Sequence, residues 1–189
     1  MKKYLLFVWE ITKVMVISLA IIIPVRYYLI QPFYVKGASM EPNFFDSEYL
    51  IIDELSYRFN EPVRGQVVVF RYPRNPQEYF IKRVVGLPGE EVQIKDGKVF
   101  VFNDENPEGF VLTEDYLGSS VITYSDSEIK VAVGPDEFFV LGDNRSSSRD
   151  SRSFGPVNKS FVTGKVLFRG WPISRVEFFG KESWPIYEY

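Results

Sequence analysis

Three stretches of this chain carry residue types that could make and break bonds. In the first, Val35-Lys-Gly-Ala-Ser-Met-Glu-Pro42, Ser39 sits inside a turn bracketed by Gly37 and Pro42. A serine nucleophile needs a stiff, exposed turn and free backbone N–H groups nearby to receive a developing oxyanion. The same pattern also describes an ordinary turn-forming serine. In the second, Tyr79-Phe-Ile-Lys-Arg-Val-Val-Gly-Leu-Pro-Gly89, Lys82 interrupts an apolar strand. Side chains alternate across a strand, so Phe80, Lys82 and Val84 share one face and Tyr79, Ile81, Arg83 and Val85 the other. One cation of the Lys82-Arg83 pair is therefore solvated and the other set against apolar neighbours. Burial among Phe and Val lowers a lysine pKa and makes it a usable base. The plain alternative is an edge-strand lysine that discourages aggregation. The third stretch, Phe138 to Gly155, runs from an apolar strand into a dense polar loop. Its Asp143, Arg145, Arg149, Asp150 and Arg152 can pair with one another, either as a solvated loop or as a network supporting a site.

What the chain lacks narrows the chemistry further. It has no His and no Cys in 189 residues. That excludes thiol proteases, disulfide frameworks, His-built metal sites and the Ser-His-Asp triad. Any base must be Lys, Asp, Glu or Tyr. A net charge of −3 with no basic stretch leaves no footprint for a nucleic-acid partner.

The elements that must position these residues fall into two parts. Apolar residues run from Tyr4 to Ile30, interrupted by Glu10, Lys13, Pro24 and Arg26. With Lys13 and Arg26 as snorkelling ends and Tyr27 and Tyr28 as interface aromatics, the run approaches the ~20 residues that a spanning helix needs. A cleaved secretory signal would end in small residues, whereas Arg26-Tyr-Tyr-Leu-Ile-Gln-Pro32 follows here. The expectation is an uncleaved anchor over 1–33, with Lys2, Lys3 and Lys13 on the cytoplasmic side and the rest outside. A buried core helix is the alternative. Residues 34–189 read as a mainly β domain, barrel- or sandwich-like, of many short strands. Runs at 49–53, 65–70, 79–85, 92–95, 98–102, 129–133, 137–141, 161–169 and 175–179 are the strand candidates. Asp96-Gly97 marks a hairpin. Residues 103–127 are more polar and are expected to leave the sheet. No later segment shows sustained helical periodicity.

Taken together, the three stretches resemble type I signal peptidases (leader peptidases), the bacterial Ser/Lys-dyad family. Ala38-Ser-Met-Glu-Pro42 resembles a loose form of the family's G-x-S-M-x-P-T motif, and Arg64-Gly-Gln-Val-Val-Val-Phe70 its R-G-D-V-V-V-F strand. Tyr79 to Glu90 is similar to Y-I-K-R-V-V-G-L-P-G-D, and Gly142-Asp-Asn-Arg145 with Asp150-Ser-Arg152 to its G-D-N-x…D-S-R loop. The resemblance runs from the anchor to about Pro172. It implies Ser39 as nucleophile, Lys82 as general base and the Ser39 N–H as half of an oxyanion hole. Ser148 falls where the family often places a hydroxyl that orients the lysine. Asp143, Asn144, Arg145, Asp150 and Arg152 fall on the structural loop. Gly37 stands where the family often has a serine whose hydroxyl is the second oxyanion donor. Asn43 stands where a Thr is expected, and Gln66 where an Asp is.

The implied reaction is removal of signal peptides from secreted preproteins with small residues before the cut, at the cell membrane, with no cofactor or metal. The lipid bilayer is an implied partner and the secretion translocon a candidate one. Two rivals use the same residues. A self-cleaving Ser/Lys protease would carry a DNA-binding segment where this chain has its apolar run. A membrane-tethered adaptor of the same fold would have lost catalysis.

Overall fold

The computed structural model describes residues 2–28, 30–118, 121–125, 128–180 and 183–184, with the backbone alone for 25–28 and 30. The apolar run folds as one helix, α1 (Lys2–Tyr28). Its two internal charges neutralise each other one turn apart, Lys13 Nζ lying 2.7 Å from a Glu10 carboxylate oxygen. Lys2–Pro24 is long and apolar enough to cross a membrane, and none of it is buried inside the molecule. Its 23 residues rise about 35 Å, against a hydrocarbon core of ~30 Å.

The rest is mainly β. The large antiparallel sheet holds β1 (Ile30–Tyr34), β2 (Tyr49–Asp53), β3 (Val67–Tyr72) and β4 (Asn75–Gly86). A smaller one holds β5 (Glu91–Lys95), β6 (Lys98–Phe102), β7 (Phe110–Val111) and β8 (Val131–Ala132). The chain then returns to the large sheet with β9 (Glu137–Leu141), β10 (Val157–Asn158), β11 (Val162–Trp171) and β12 (Glu177–Phe178). The large sheet is ordered β1-β2-β11-β3-β4-β9-β10, with β12 on β11; the small one is ordered β7-β6-β5-β8.

Continuous apolar runs appear where a strand is covered on both faces. In β3, Val67 and Val69 enter one core with Leu50, Ile52 and Val166, while Val68 and Phe70 enter another with Val84 and Phe138. In β9, Phe138 and Val140 join that second core, and Phe139 and Leu141 a third against the small sheet. A strand buried on both sides loses its period-2 pattern, as Val-Val-Val-Phe and Phe-Phe-Val-Leu do. The β5–β6 hairpin turns at Asp96 and Gly97, both with positive φ (49° and 76°), as a two-residue turn matched to strand twist requires.

Several expectations need adjusting. The sheet begins at Ile30, four residues before the expected start of the β domain. Within 103–127, β7 pairs with β6 and Leu112 is buried in the third core, so this stretch is partly built into the small sheet. The polar loop also holds a short helix, α2 (Ser151–Phe154). Its N-cap is Asp150, which accepts the Arg152 N–H and so satisfies a donor at the helix start.

Candidate active site

Residues 35–48 form a closed turn between β1 and β2. Its ends meet where the Val35 N–H donates to Glu48 O (2.9 Å) and the Ser47 N–H to Val35 O (3.0 Å). Met40 and Phe44 bury their side chains in the first core, leaving Ser39 half-buried between them and solvent. Gly37 adopts φ +86°, a conformation that favours glycine, and its N–H donates to Asp46 Oδ1 at 2.6 Å. That bond, with the Ser47 hydroxyl, holds the Asp46 carboxyl below its ordinary pKa.

Lys82 comes from the middle of β4. Phe80 and Val84 flank it on the same face and pack in one core, as the alternation implies. Its Nζ lies 2.7 Å from Ser39 Oγ and donates to Ile81 O at 2.6 Å. The residue is 3% exposed. Burial lowers its pKa from 10.5 to about 8, although the Asp150 and Asp143 charges pull the other way. An amine of that pKa is partly neutral near neutral pH, and its lone pair can accept the Ser39 proton.

Arg83, on the opposite face, has a different role. It donates to both carboxylate oxygens of Asp143 (Nε–Oδ1 2.8 Å, Nη2–Oδ2 2.6 Å) and to Gly65 O (2.8 Å), and stacks 4.0 Å over the Tyr116 ring. Strand alternation thus sends one cation to the serine and the other into a buried ion pair; neither is solvated as the sequence suggested, because Asp143 supplies Arg83 with a buried counter-charge.

The polar loop holds the turn and the strand together. Asn144 donates its side-chain amide to Ala38 O and its N–H to Ser39 O, both at 3.1 Å. Asp150 is fully buried and accepts from the Gly142 N–H (3.0 Å) and the Arg152 guanidinium (2.8 Å). Burial alone would raise its pKa, but Arg152 and Gly142 outweigh that and hold it below the ordinary carboxylate value. Arg145 donates to Gly142 O (3.0 Å) and grips Glu114 and Thr123, and Arg152 reaches Tyr124 O (2.9 Å). The two loop arginines therefore tie the 103–127 stretch to the site.

Ser39 and Lys82 both line a cleft of about 780 Å³. Phe33, Val35, Leu50, Val69 and Ile81 supply apolar lining, with Arg149 also on its wall. Among the described residues the Ser39 N–H donates to no protein acceptor, so it is free to meet an oxyanion. No group of three or more carboxylates able to hold a metal occurs among the described residues.

The model of the family described as signal peptidase, peptidase S26, matches residues 8–171. The chain belongs to that family. A probable signal peptidase I-2 of Synechocystis sp. PCC 6803 is 36% identical over 88% of this chain and 75% of that protein. A signal peptidase IB of Staphylococcus aureus MRSA252 is 30% identical over 94% and 95%. A solved signal peptidase I of Enterococcus faecalis V583 is 32% identical over 56% of this chain and 97% of that one, with a TM-score of 0.46.

Within this S26 chain, two residues differ from their sequence-based expectation. Ser148 does not bond Lys82: its Oγ is packed against Gly142 and completes no hydrogen bond of normal geometry, though it lies close enough to Asp150 to favour the ionised carboxylate. The lysine is oriented instead by Ile81 O. Gly37 has no side-chain donor and has committed its N–H to Asp46, so it supplies no oxyanion contact. Asn43, noted in the sequence only as a departure from the motif, has a role there that the motif does not imply. Its amide donates to Asp143 Oδ2 (2.8 Å) and Tyr116 O (2.9 Å), linking the serine turn to the Arg83 ion pair. A side-chain amide where the motif has a hydroxyl was the available signal.

Proposed function

We propose that this chain is a membrane-anchored serine endopeptidase that removes signal peptides from secreted preproteins, with Ser39 as nucleophile and Lys82 as general base. The observation that carries the reading is the 2.7 Å approach of Lys82 Nζ to Ser39 Oγ, with the lysine buried and its pKa lowered to about 8. Membership of the S26 family and signal peptidase relatives over most of the chain support the substrate class.

The neutral amine of Lys82 takes the Ser39 proton as Oγ attacks the scissile carbonyl carbon. The negative charge moves to the carbonyl oxygen, where the free Ser39 N–H donates to it. The tetrahedral intermediate collapses, the C–N bond breaks, and the leaving amine takes the proton held on Lys82. An acyl-enzyme on Ser39 remains. Water then attacks it, Lys82 taking its proton; the acyl C–Oγ bond breaks and the proton passes from Lys82 to Oγ, which restores Ser39 and the neutral amine. Asp143, Asn144, Arg145, Asp150 and Arg152 make and break no bonds; they hold the turn and strand in register.

On this reading α1 is the anchor, Lys2, Lys3 and Lys13 face the cytoplasm and residues from about 34 on lie outside. Preproteins emerging from the secretion translocon then reach the cleft from the membrane side.

The experiment is cleavage of a purified preprotein by the full chain in detergent micelles. Ser39→Ala and Lys82→Arg should both be folded and inactive, since a guanidinium does not deprotonate in a protein. Cleavage by folded Ser39→Ala would overturn Ser39 as the nucleophile, and a parent that does not cleave would return the chain to the adaptor reading.

A further inference from the structure

The family match stops at residue 171, yet the chain continues and folds back on the serine turn. Glu48, at the end of that turn, is 1% exposed. Two guanidinium groups balance its charge: Arg169 Nη1 at 3.1 Å from Oε2, and Arg175 Nη1 at 2.6 Å from Oε1. Both arginines also donate to one backbone carbonyl inside the turn, Asn43 O, at 2.7 Å from Arg169 and 3.1 Å from Arg175. Arg169 Nε in turn donates to Arg175 O (2.9 Å), and its Nη2 pairs with Glu177.

Aromatic rings close the same contact. Arg175 lies 4.2 Å over the Phe45 ring, and Arg169 lies 5.2 Å from Phe44. Phe44 meets Phe179 at 5.2 Å, and Phe179 stacks on Trp184 at 5.6 Å. Residues 43–45 are thus gripped from one side by the C-terminal segment. From the other side the Asn43 amide is bonded to Asp143, which holds Arg83, the neighbour of Lys82. A shift at residue 43 therefore moves the nucleophile, four residues away, relative to its base.

We propose that Arg175 is a positioning residue for Ser39, acting with Arg169 and Glu48 as a clamp by which the C-terminal segment fixes the nucleophile turn; this rests on Ser39 being the nucleophile. An ordinary surface ion pair would contribute little. This carboxylate is buried, so removing one cation leaves part of its charge unpaired, and the turn must move to reach water. Misplacing a reacting atom by 1 Å can cost about 10²-fold in rate. Arg175 does not line the cleft, so substrate binding should be little affected.

The test is steady-state cleavage of a preprotein by the full chain in detergent micelles, well below its thermal midpoint. Arg175→Gln should lower kcat at least tenfold while KM stays within twofold. Arg175→Lys should recover part of the loss, because an ammonium can reach Glu48 or Asn43 O but cannot fork to both. Val99→Ala, a cavity in the small sheet, is the control for lost stability and should leave kcat unchanged at an equal fall in thermal midpoint. A kcat for Arg175→Gln within twofold of the parent overturns the clamp, as does an equal kcat loss in Val99→Ala. A parent that cleaves while Ser39→Ala does not keeps the peptidase reading intact in either case. A parent without activity overturns both.

Discussion

Asn144 holds the backbone on both sides of the Ser39 amide link, donating its side chain to Ala38 O and its N–H to Ser39 O at 3.1 Å each. The carbonyls facing the polar loop are therefore occupied, while the Ser39 N–H stays free on the other edge. Asn144→Ala removes one of the two donors; Ala38 O keeps the Glu41 N–H at 3.2 Å, so the loss is that of one hydrogen bond, about 0.5–1.5 kcal/mol. The expected result is a fall in kcat of roughly tenfold, with a thermal midpoint lower by a few degrees. Full activity in a folded Asn144→Ala protein would show that the turn needs no such hold.

Lys82 fixes the pH dependence. Its pKa is lowered to about 8, so cleavage should rise with pH along a limb centred near that value. The same lowering affects stability. Between about 8 and the unfolded value near 10.5 the unfolded chain binds more protons, so stability from this group rises with pH across that window. Below it the buried lysine costs roughly 3 kcal/mol, at ~1.4 kcal/mol per pH unit. Lys82→Met removes that cost. The inactive variant should match or exceed the parent in thermal midpoint at pH 7; a midpoint several degrees lower would make Lys82 a stabilising cation.

Asp150 is coupled to the base through its charge. It raises the pKa of Lys82, so Asp150→Asn should move the alkaline limb to lower pH in whatever fraction folds. It should also destabilise strongly, on the order of 3–5 kcal/mol, because the Arg152 partner loses its counter-charge in a buried site. The Asp150 pKa is lowered, so its contribution is present above the ordinary carboxylate range and lost as pH falls through the folded value. A pH–rate profile and an acid melt check the two halves separately. A limb that stays in place would mean that solvent screens Asp150 from the lysine.

Gly142 is a site of close approach. A Cβ there would lie 2.5 Å from Ser39 O and closer still to Ser148 Oγ. Gly142→Ala must push the serine turn outward, so it should lose activity by more than tenfold. Hydrogen exchange at residues 37–44 should rise in parallel. Unchanged exchange with lost activity would place the effect elsewhere.

The anchor orientation has its own check. Protease added to intact spheroplasts should digest residues beyond about 34 and spare Lys2 to Lys13. Protection of the β domain would reverse the topology.

The strands legible in the sequence are those whose side chains carry a pattern. β2, β6 and β9 lie where expected, because Tyr49–Asp53, Lys98–Phe102 and Glu137–Leu141 are apolar or alternating runs between turn residues. β4 begins four residues earlier than expected: Asn75 pairs with Tyr72 beside the turn, and residues 76–78 fall in a register shift before Tyr79 meets Arg71, which no side-chain pattern marks. β7 and β10 are two residues long, too short to hold any period. Ser39, Lys82 and the loop acids were readable by residue type. Glu48, Arg169 and Arg175 were not. Their partners lie more than a hundred residues apart in the chain, and nothing local marks Glu48 as buried.

The back-to-back placement of Lys82 and Arg83 gives β4 a parity. Deleting one residue between Tyr79 and the lysine would bring the guanidinium into the lysine's place beside the serine, and inserting one would bring the ammonium into the arginine's place beside Asp143. A two-residue change would restore the faces but slide the lysine ~7 Å along the strand, past Ser39. The spacing from Tyr79, where the unbroken pairing with β3 begins, to Lys82 therefore admits no drift in either direction.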